Sequence, residues 1–274
     1  MPTFVRPARL LALLVLVLVI ATIEPVRAQV PQRVSLYAAG SLHGALTDIA
    51  NAFTQQTGIV VDQTYGSSGL LRGRIENGET ADVFASADTD SPQRLQREGR
   101  SGAVTVFTRN RMCLLVKPAR AGSRTVAELM LDPSLRLVTS TPKADPAGDY
   151  AEAIFAKLNA QRPGALAALD PKALRLIGGA NAVSIPAGAD LAVYLLLTSN
   201  QGDTFLAYCS GFVASVAANP TQLRSLEMPP DLAVRADYGL ALRNGAPPAA
   251  AQLREFILSP AGQAILVRYG FSRV

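Results

Sequence analysis

The chain has no tryptophan, a single histidine and two cysteines in 274 residues, and only 17% of it is charged. Each shortage removes a class of function. Two cysteines, Cys113 and Cys209, are too few for a disulfide-stapled scaffold. An oxidising compartment would permit one bridge between them; two buried free thiols are the plainer expectation. One histidine, His43, with no CxxC or HExxH pattern, leaves no ligand set for zinc or haem. No run of Lys and Arg is interleaved with aromatics, so nothing marks a nucleic-acid surface. Gly (21) and Pro (18) follow no repeat, and at 49% hydrophobic the chain is too apolar to stay disordered. Its length allows one large domain or two smaller ones, each with a real core.

The first stretch reads as a leader. Arg6 and Arg9 make a basic start, Leu10 to Ile20 is an unbroken apolar run, and Val26-Arg27-Ala28 supplies a cleavage site. A membrane span needs about 20 apolar residues. The shorter run therefore predicts a cleaved secretory signal over 1–28, with an uncleaved anchor as the alternative. Losing Arg6, Arg9, Arg27 and Glu24 lowers the net charge from +5 to +3 over the 246 residues that remain. The expected product is periplasmic, soluble and mildly basic, a balance that helps steer an anion inward.

Strand and helix signals then alternate. Val34 to Ala39 is a short apolar run; Leu42, Leu46, Ile49 and Phe53 recur at helical spacing and Gly58 ends that segment. Ile59 to Tyr65 reads as a second strand. A helix with Leu70, Leu71 and Ile75 follows, then a third strand over 81–85 and a helix opened by Ser91-Pro92. This βαβαβα order implies an α/β fold with a parallel sheet covered by helices. Further strands are expected at 111–116, 135–139, 205–208 and 233–242. Helices are expected at 151–158, 191–197, 248–257 and 261–269. Gly178-Gly179-Ala180-Asn181 lacks dinucleotide-fingerprint spacing and no long strand is read before it, so it is taken as a loop.

Ser41 and Ser68 each fall at a strand-to-helix junction, where ligands of parallel sheets collect. There a hydroxyl joins the orphan N–H groups and partial positive charge of a helix N-terminus, a ready anion site. Ordinary N-capping is the alternative for either serine. A nucleophilic serine is disfavoured: His43 lies two residues from Ser41, off its helical face, and no GxSxG elbow exists.

At these residues the chain closely resembles the molybdate-binding solute receptors that serve ABC importers. The matching stretches are Tyr37 to Leu42, Tyr65 to Leu70, Ile75 to Asp88, Pro146 to Tyr150, Tyr208 with Ser210, and Ser259 to Gln263 with Arg268 to Phe271. The resemblance implies a type II periplasmic-binding-protein fold: two α/β lobes, 29–115 with 233–274 and 116–232, joined by two crossing strands. It also implies a monomer that catalyses no reaction, carries no cofactor, and passes molybdate, and tungstate, to an ABC permease. Ser41 and Ser68 would donate from one lobe, the Ala147 N–H and the Tyr208 phenol from the other, reaching the metal only through the molybdate oxygens. Such a shell holds a dianion on neutral donors and avoids a buried countercharge. Sulfate, phosphate or an organic anion on the same fold is the nearest alternative, and an exported serine hydrolase the alternative of another class.

Two residues depart from the common pattern. In the tetrahedral-binding branch the position aligned with Asp190 is apolar, and Asp145 stands two residues before Ala147. A carboxylate 4 Å from a dianion costs roughly 4 kcal/mol per unit charge pair at an effective dielectric of 20. Either these side chains point away, as helix-capping and turn residues, or they coordinate the metal. The second option resembles receptors that expand the metal to six oxygens with an Asp-Pro-x-Gly turn, matched by Asp145 to Gly148. Asp82 and Asp88 are family-like and read as structural.

Overall fold

Alternating strand and helix signals over residues 33–97 fold as parallel strands with helical crossovers. The computed structural model describes Met1, residues 32–180 and 182–274; the expected leader and Asn181 lie outside the described residues. The chain runs β1 (Arg33–Ala39), a 3-10 turn (Gly40–Leu42), α1 (His43–Thr57), β2 (Val60–Gly66), α2 (Ser68–Glu76), β3 (Val83–Ser86) and α3 (Asp90–Arg97). Then come β4 (Thr105–Val116), α4 (Pro118–Ala121), α5 (Val126–Leu131), β5 (Leu137–Ser140), α6 (Pro146–Gln161), α7 (Ala165–Lys172) and β6 (Ala173–Ile177). A short helical stretch, α8 (Leu191–Val193) running into a π turn (Tyr194–Thr198), leads to β7 (Thr204–Tyr208) and a 3-10 turn (Cys209–Phe212). Closing the chain are α9 (Val213–Ala218), β8 (Arg224–Glu227), β9 (Arg235–Leu242), α10 (Pro248–Leu258) and α11 (Pro260–Arg268).

The strands form one mixed sheet in the order β2-β1-β3-β9-β4-β7-β5-β6, with β8 pairing β4 to the side. Two parallel triplets stand out: β2-β1-β3 and β7-β5-β6. Each meets an antiparallel partner at its inner edge, β9 beside β3 and β4 beside β7. Strand β4 is long enough to serve both, pairing β9 through Thr105–Arg111 and β7 through Met112–Val116. The sequence reading caught only the second half of β4, because Thr105 to Asn110 is neither an apolar run nor a clean alternation, with only Val106 and Phe107 apolar. The α/β reading itself holds, and the Leu42, Leu46, Ile49 and Phe53 stripe is buried core.

Two readings need correction. Cys113 and Cys209 are joined in a disulfide, not held as free thiols, with Cα atoms 4.9 Å apart. The β4–β7 register sets Cys113 opposite Ala207, so Cys209, two residues further on, is its diagonal neighbour on the same face. A strand, β6, does precede Gly178-Gly179, although the glycines themselves lie in a loop as expected.

Candidate functional site

The carboxyl ends of both parallel triplets open on one cavity of about 610 Å³. From one side it takes Gly40 and Ser41 after β1, Ser67 and Ser68 after β2, and Ala87 after β3. The other side contributes Ser140 at the end of β5, Asp145 to Ala147 at the start of α6, Ile177 at the end of β6, Asp190, Tyr208 at the end of β7 and Ser210 just beyond it. All six residues singled out in the sequence, Ser41, Ser68, Asp145, Ala147, Asp190 and Tyr208, therefore line the same space. No Lys or Arg is among its lining residues.

Neither serine acts as a helix cap. The Ser41 hydroxyl lies 2.9 Å from the Tyr238 phenol oxygen, and the buried Ser68 hydroxyl accepts the Ala87 N–H at 3.0 Å. No side chain caps α1 or α2; α1 continues the 3-10 turn, whose Gly40 carbonyl accepts the His43 N–H, so the orphan donors of these helix starts lie in that turn and in the first turn of α2. His43 is exposed and packs edge-on against Tyr65, with ring centroids 4.5 Å apart. Its role is that of a rim residue, and it bonds to neither serine.

The opposite wall answers its helix starts with its own carboxylates. Asp145 accepts the Ala147 N–H at 3.0 Å and the Ser67 hydroxyl at 3.1 Å. The backbone donor expected of Ala147 is thus already engaged. Asp190 is exposed and accepts the Val193 N–H at 3.0 Å and the Ser215 hydroxyl at 2.7 Å. Capping is what both side chains do here. Burial pushes the Asp145 carboxyl above the ordinary carboxylate range, against the pull of its hydrogen-bond donors. Asp82, by contrast, is held below that range by Ser35 and Arg243, against burial, its largest single influence. Asp88 caps α3 through Ser91, and both aspartates are structural.

Ser67 and Asp145 meet where the walls touch. A Cβ on Gly69 would lie 2.2 Å from the Lys143 carbonyl oxygen and 2.9 Å from that of Ala144. Gly178, at φ +73°, would place one 2.7 Å from the Ser67 hydroxyl. Only glycine lets these backbones approach so closely.

A hydrogen-bonded chain runs beneath the cavity from Ser41 through Tyr238 to Asn110 and on to Ser210, with Asn110 donating at 3.2 and 2.7 Å. It links the two walls through β9 and β4. Tyr208 and Tyr150 both point their hydroxyls at the Ala87 carbonyl, at 3.5 and 3.4 Å. Burial raises all three phenols, Tyr150, Tyr208 and Tyr238, so each stays protonated and able to donate. Sequence reasoning missed Ser67, Asn110 and Tyr238. Asn110 was the findable one, a buried amide inside a strand that continues as an apolar run.

Among the described residues no helix is long and apolar enough to cross a membrane, and no group of three or more His, Cys, Asp or Glu could hold a metal ion. A family model described as bacterial extracellular solute-binding protein matches residues 34–272. An uncharacterized protein of Pasteurella multocida is 36% identical over 75% of this chain and 85% of its own length. The molybdate-binding protein of Escherichia coli is 27% identical over 88% of this chain and 89% of its own. In structure, the periplasmic molybdate-binding protein of Azotobacter vinelandii superposes with a TM-score of 0.71 at 19% identity, covering 88% and 99% of the two chains. The sulfate-binding protein of Mycobacterium tuberculosis reaches the same TM-score at 16% identity, covering 89% and 87%.

Proposed function

The chain belongs to the bacterial extracellular solute-binding protein family, and from that premise we propose that it captures molybdate, and tungstate with it, for delivery to an ABC permease. One observation carries the reading: the serine-bearing helix starts after β1 and β2, without side-chain caps, converge on a cavity that holds no Lys or Arg and whose two carboxylates, Asp145 and Asp190, are already engaged as caps. Ser41 and Ser68 would donate from one lobe (29–115 with 233–274) and Tyr208 from the other (116–232); the Ala147 N–H would join them only by leaving the Asp145 carboxylate that now accepts it. A relative that binds molybdate at 27% identity supports the cargo. Tungstate has nearly the same size and charge. Sulfate is smaller, and each buried donor it fails to reach costs about 1–3 kcal/mol.

The mechanism is closure. A ligand that touches both walls interacts more favourably with the closed state, and shifts the population by that difference. The working form would be an exported monomer freed of residues 1–28. No reaction is proposed, since each serine bonds to a phenol or an amide and neither to a base.

The cavity's 610 Å³ is far more than one tetrahedral oxyanion fills, and this favours a single second reading, an organic anion such as a phosphorylated small molecule. Calorimetric titration of the purified, dialysed protein with molybdate, tungstate, sulfate and phosphate tests the first reading. Tight one-to-one binding of molybdate and tungstate with sulfate silent is the expected result. Silence from both metal oxyanions would overturn it, and a response to phosphate alone would favour the second.

A further inference from the structure

We infer that Asn110 is a positioning residue that fixes the direction of the hydrogen bonds behind the cavity, so that Ser41 and Ser210 present hydrogens, not lone pairs, to the guest. The consequence is a preference for oxyanions that carry no proton. The inference rests on the oxyanion reading above and adds a criterion independent of ligand size. Asn110 lies in β4 and Tyr238 in β9, and both are buried. The Asn110 Oδ1 accepts the Arg111 N–H at 2.9 Å, which sets the amide's orientation. Its Nδ2 therefore faces Ser210 and Tyr238, and an amide nitrogen can only donate to them. The Tyr238 phenol has its own hydrogen to place, with no water to give it to. Among the described residues Ser41 is the only acceptor within its reach, so Tyr238 donates to Ser41.

Each of the two serine oxygens thus has a donor at its back and, among the described residues, no acceptor for its own hydrogen. Both serines line the cavity, where that hydrogen is left to be used. Ser68 repeats the pattern, with the Ala87 N–H as its donor. The acceptors nearby are taken: Asp145 by Ser67 and Ala147, the Ala87 carbonyl by two phenols. An anion whose oxygens all accept suits such a lining. A protonated anion brings a hydrogen that meets other hydrogens, and a buried donor left unpaired is costly. Selenate and arsenate isolate that difference. They are close in size and both are dianions in mildly alkaline buffer, but arsenate keeps one proton and selenate keeps none.

Wild-type protein, Asn110→Leu and Tyr238→Phe are titrated by calorimetry with selenate and arsenate, directly and in competition with molybdate, in one mildly alkaline buffer. Each variant removes the donor behind one serine and frees a lone pair that can take the ligand's proton. Tyr238→Phe keeps the buried ring, and serves should Asn110→Leu fail to fold. Wild-type protein should bind selenate at least about tenfold more tightly than arsenate, and that ratio should fall by about tenfold in the variants. A merely structural role would weaken both anions equally and leave the ratio where it was. Arsenate as tight as selenate in wild type, no selenate binding at all, or an unmoved ratio in whichever variant folds would each overturn the inference. If molybdate binds and one of these results appears, this inference alone falls. If wild-type protein binds none of the three anions, the oxyanion reading falls with it.

Discussion

Helices α1 and α2 reach the cavity with no side chain bonded to their first N–H groups, whereas α6 and α8 arrive with Asp145 and Asp190 already seated on theirs. Both walls present the same backbone chemistry, a helix start with orphan donors. They differ in whether the protein has answered those donors itself. On the first wall no side chain takes them, and the proposed function leaves them for a guest. On the second, two carboxylates secure the local fold and leave the phenol of Tyr208 as the readiest donor. A ligand-binding surface is thus made as much by withholding caps as by adding side chains.

The sharpest way to break this contrast is to strip the open wall. Ser41→Ala with Ser68→Ala removes two hydroxyls, each worth about 1.5–3 kcal/mol toward a charged partner. Molybdate affinity should drop by about a hundredfold or more in calorimetry, while the circular dichroism spectrum stays native. A loss smaller than tenfold would mean that the open wall is not the binding wall.

The second wall is fastened by the Cys113–Cys209 bridge, which closes a long loop across 96 positions. Replacing both cysteines by alanine should cost about 2–4 kcal/mol in denaturant unfolding. Gly69→Ala attacks the seam between the walls, where its Cβ would press on the Lys143 carbonyl. A destabilisation of about 1–3 kcal/mol is expected from such overpacking, together with weaker ligand binding because the walls can no longer meet. Unchanged affinity would show that closure does not need that contact.

The smallest effect concerns Asp145 without ligand. Its raised carboxyl contributes stability that is fully present below the ordinary aspartate value and is lost as pH climbs through the raised one. Asp145→Asn cannot ionise, so it should melt higher than wild type at pH 7. The gap should close as pH falls below about 4. A melting difference that ignores pH would remove this account of Asp145.

The first β-α-β-α-β run was legible because Leu36 and Ala38, Leu46 and Ile49, and Val83 and Ala85 obey strand or helix periods over short distances. Helix α5 went unread, although its Thr125–Glu128 capping box is a pattern that a sequence can show. What escaped depends on distant partners. The bridge needs the β4–β7 register, Ser67 needs Asp145 78 positions away, and Tyr238 meets Ser41 across 197. The cavity's residue types were visible locally. Their availability was not, since whether Ala147 or Ser67 is free depends on which acceptor the fold brings alongside.

The bridge also ties chemistry to place. Cys209 directly follows Tyr208 and precedes Ser210, so the one covalent cross-link sits inside the turn that finishes the cavity's aromatic wall. In a reducing compartment that turn is unfastened, and the chain would hold its cargo less firmly there than outside. Oxidation then acts as a postmark: on the proposed function, a chain with its wall completed would be one that has reached an oxidising compartment.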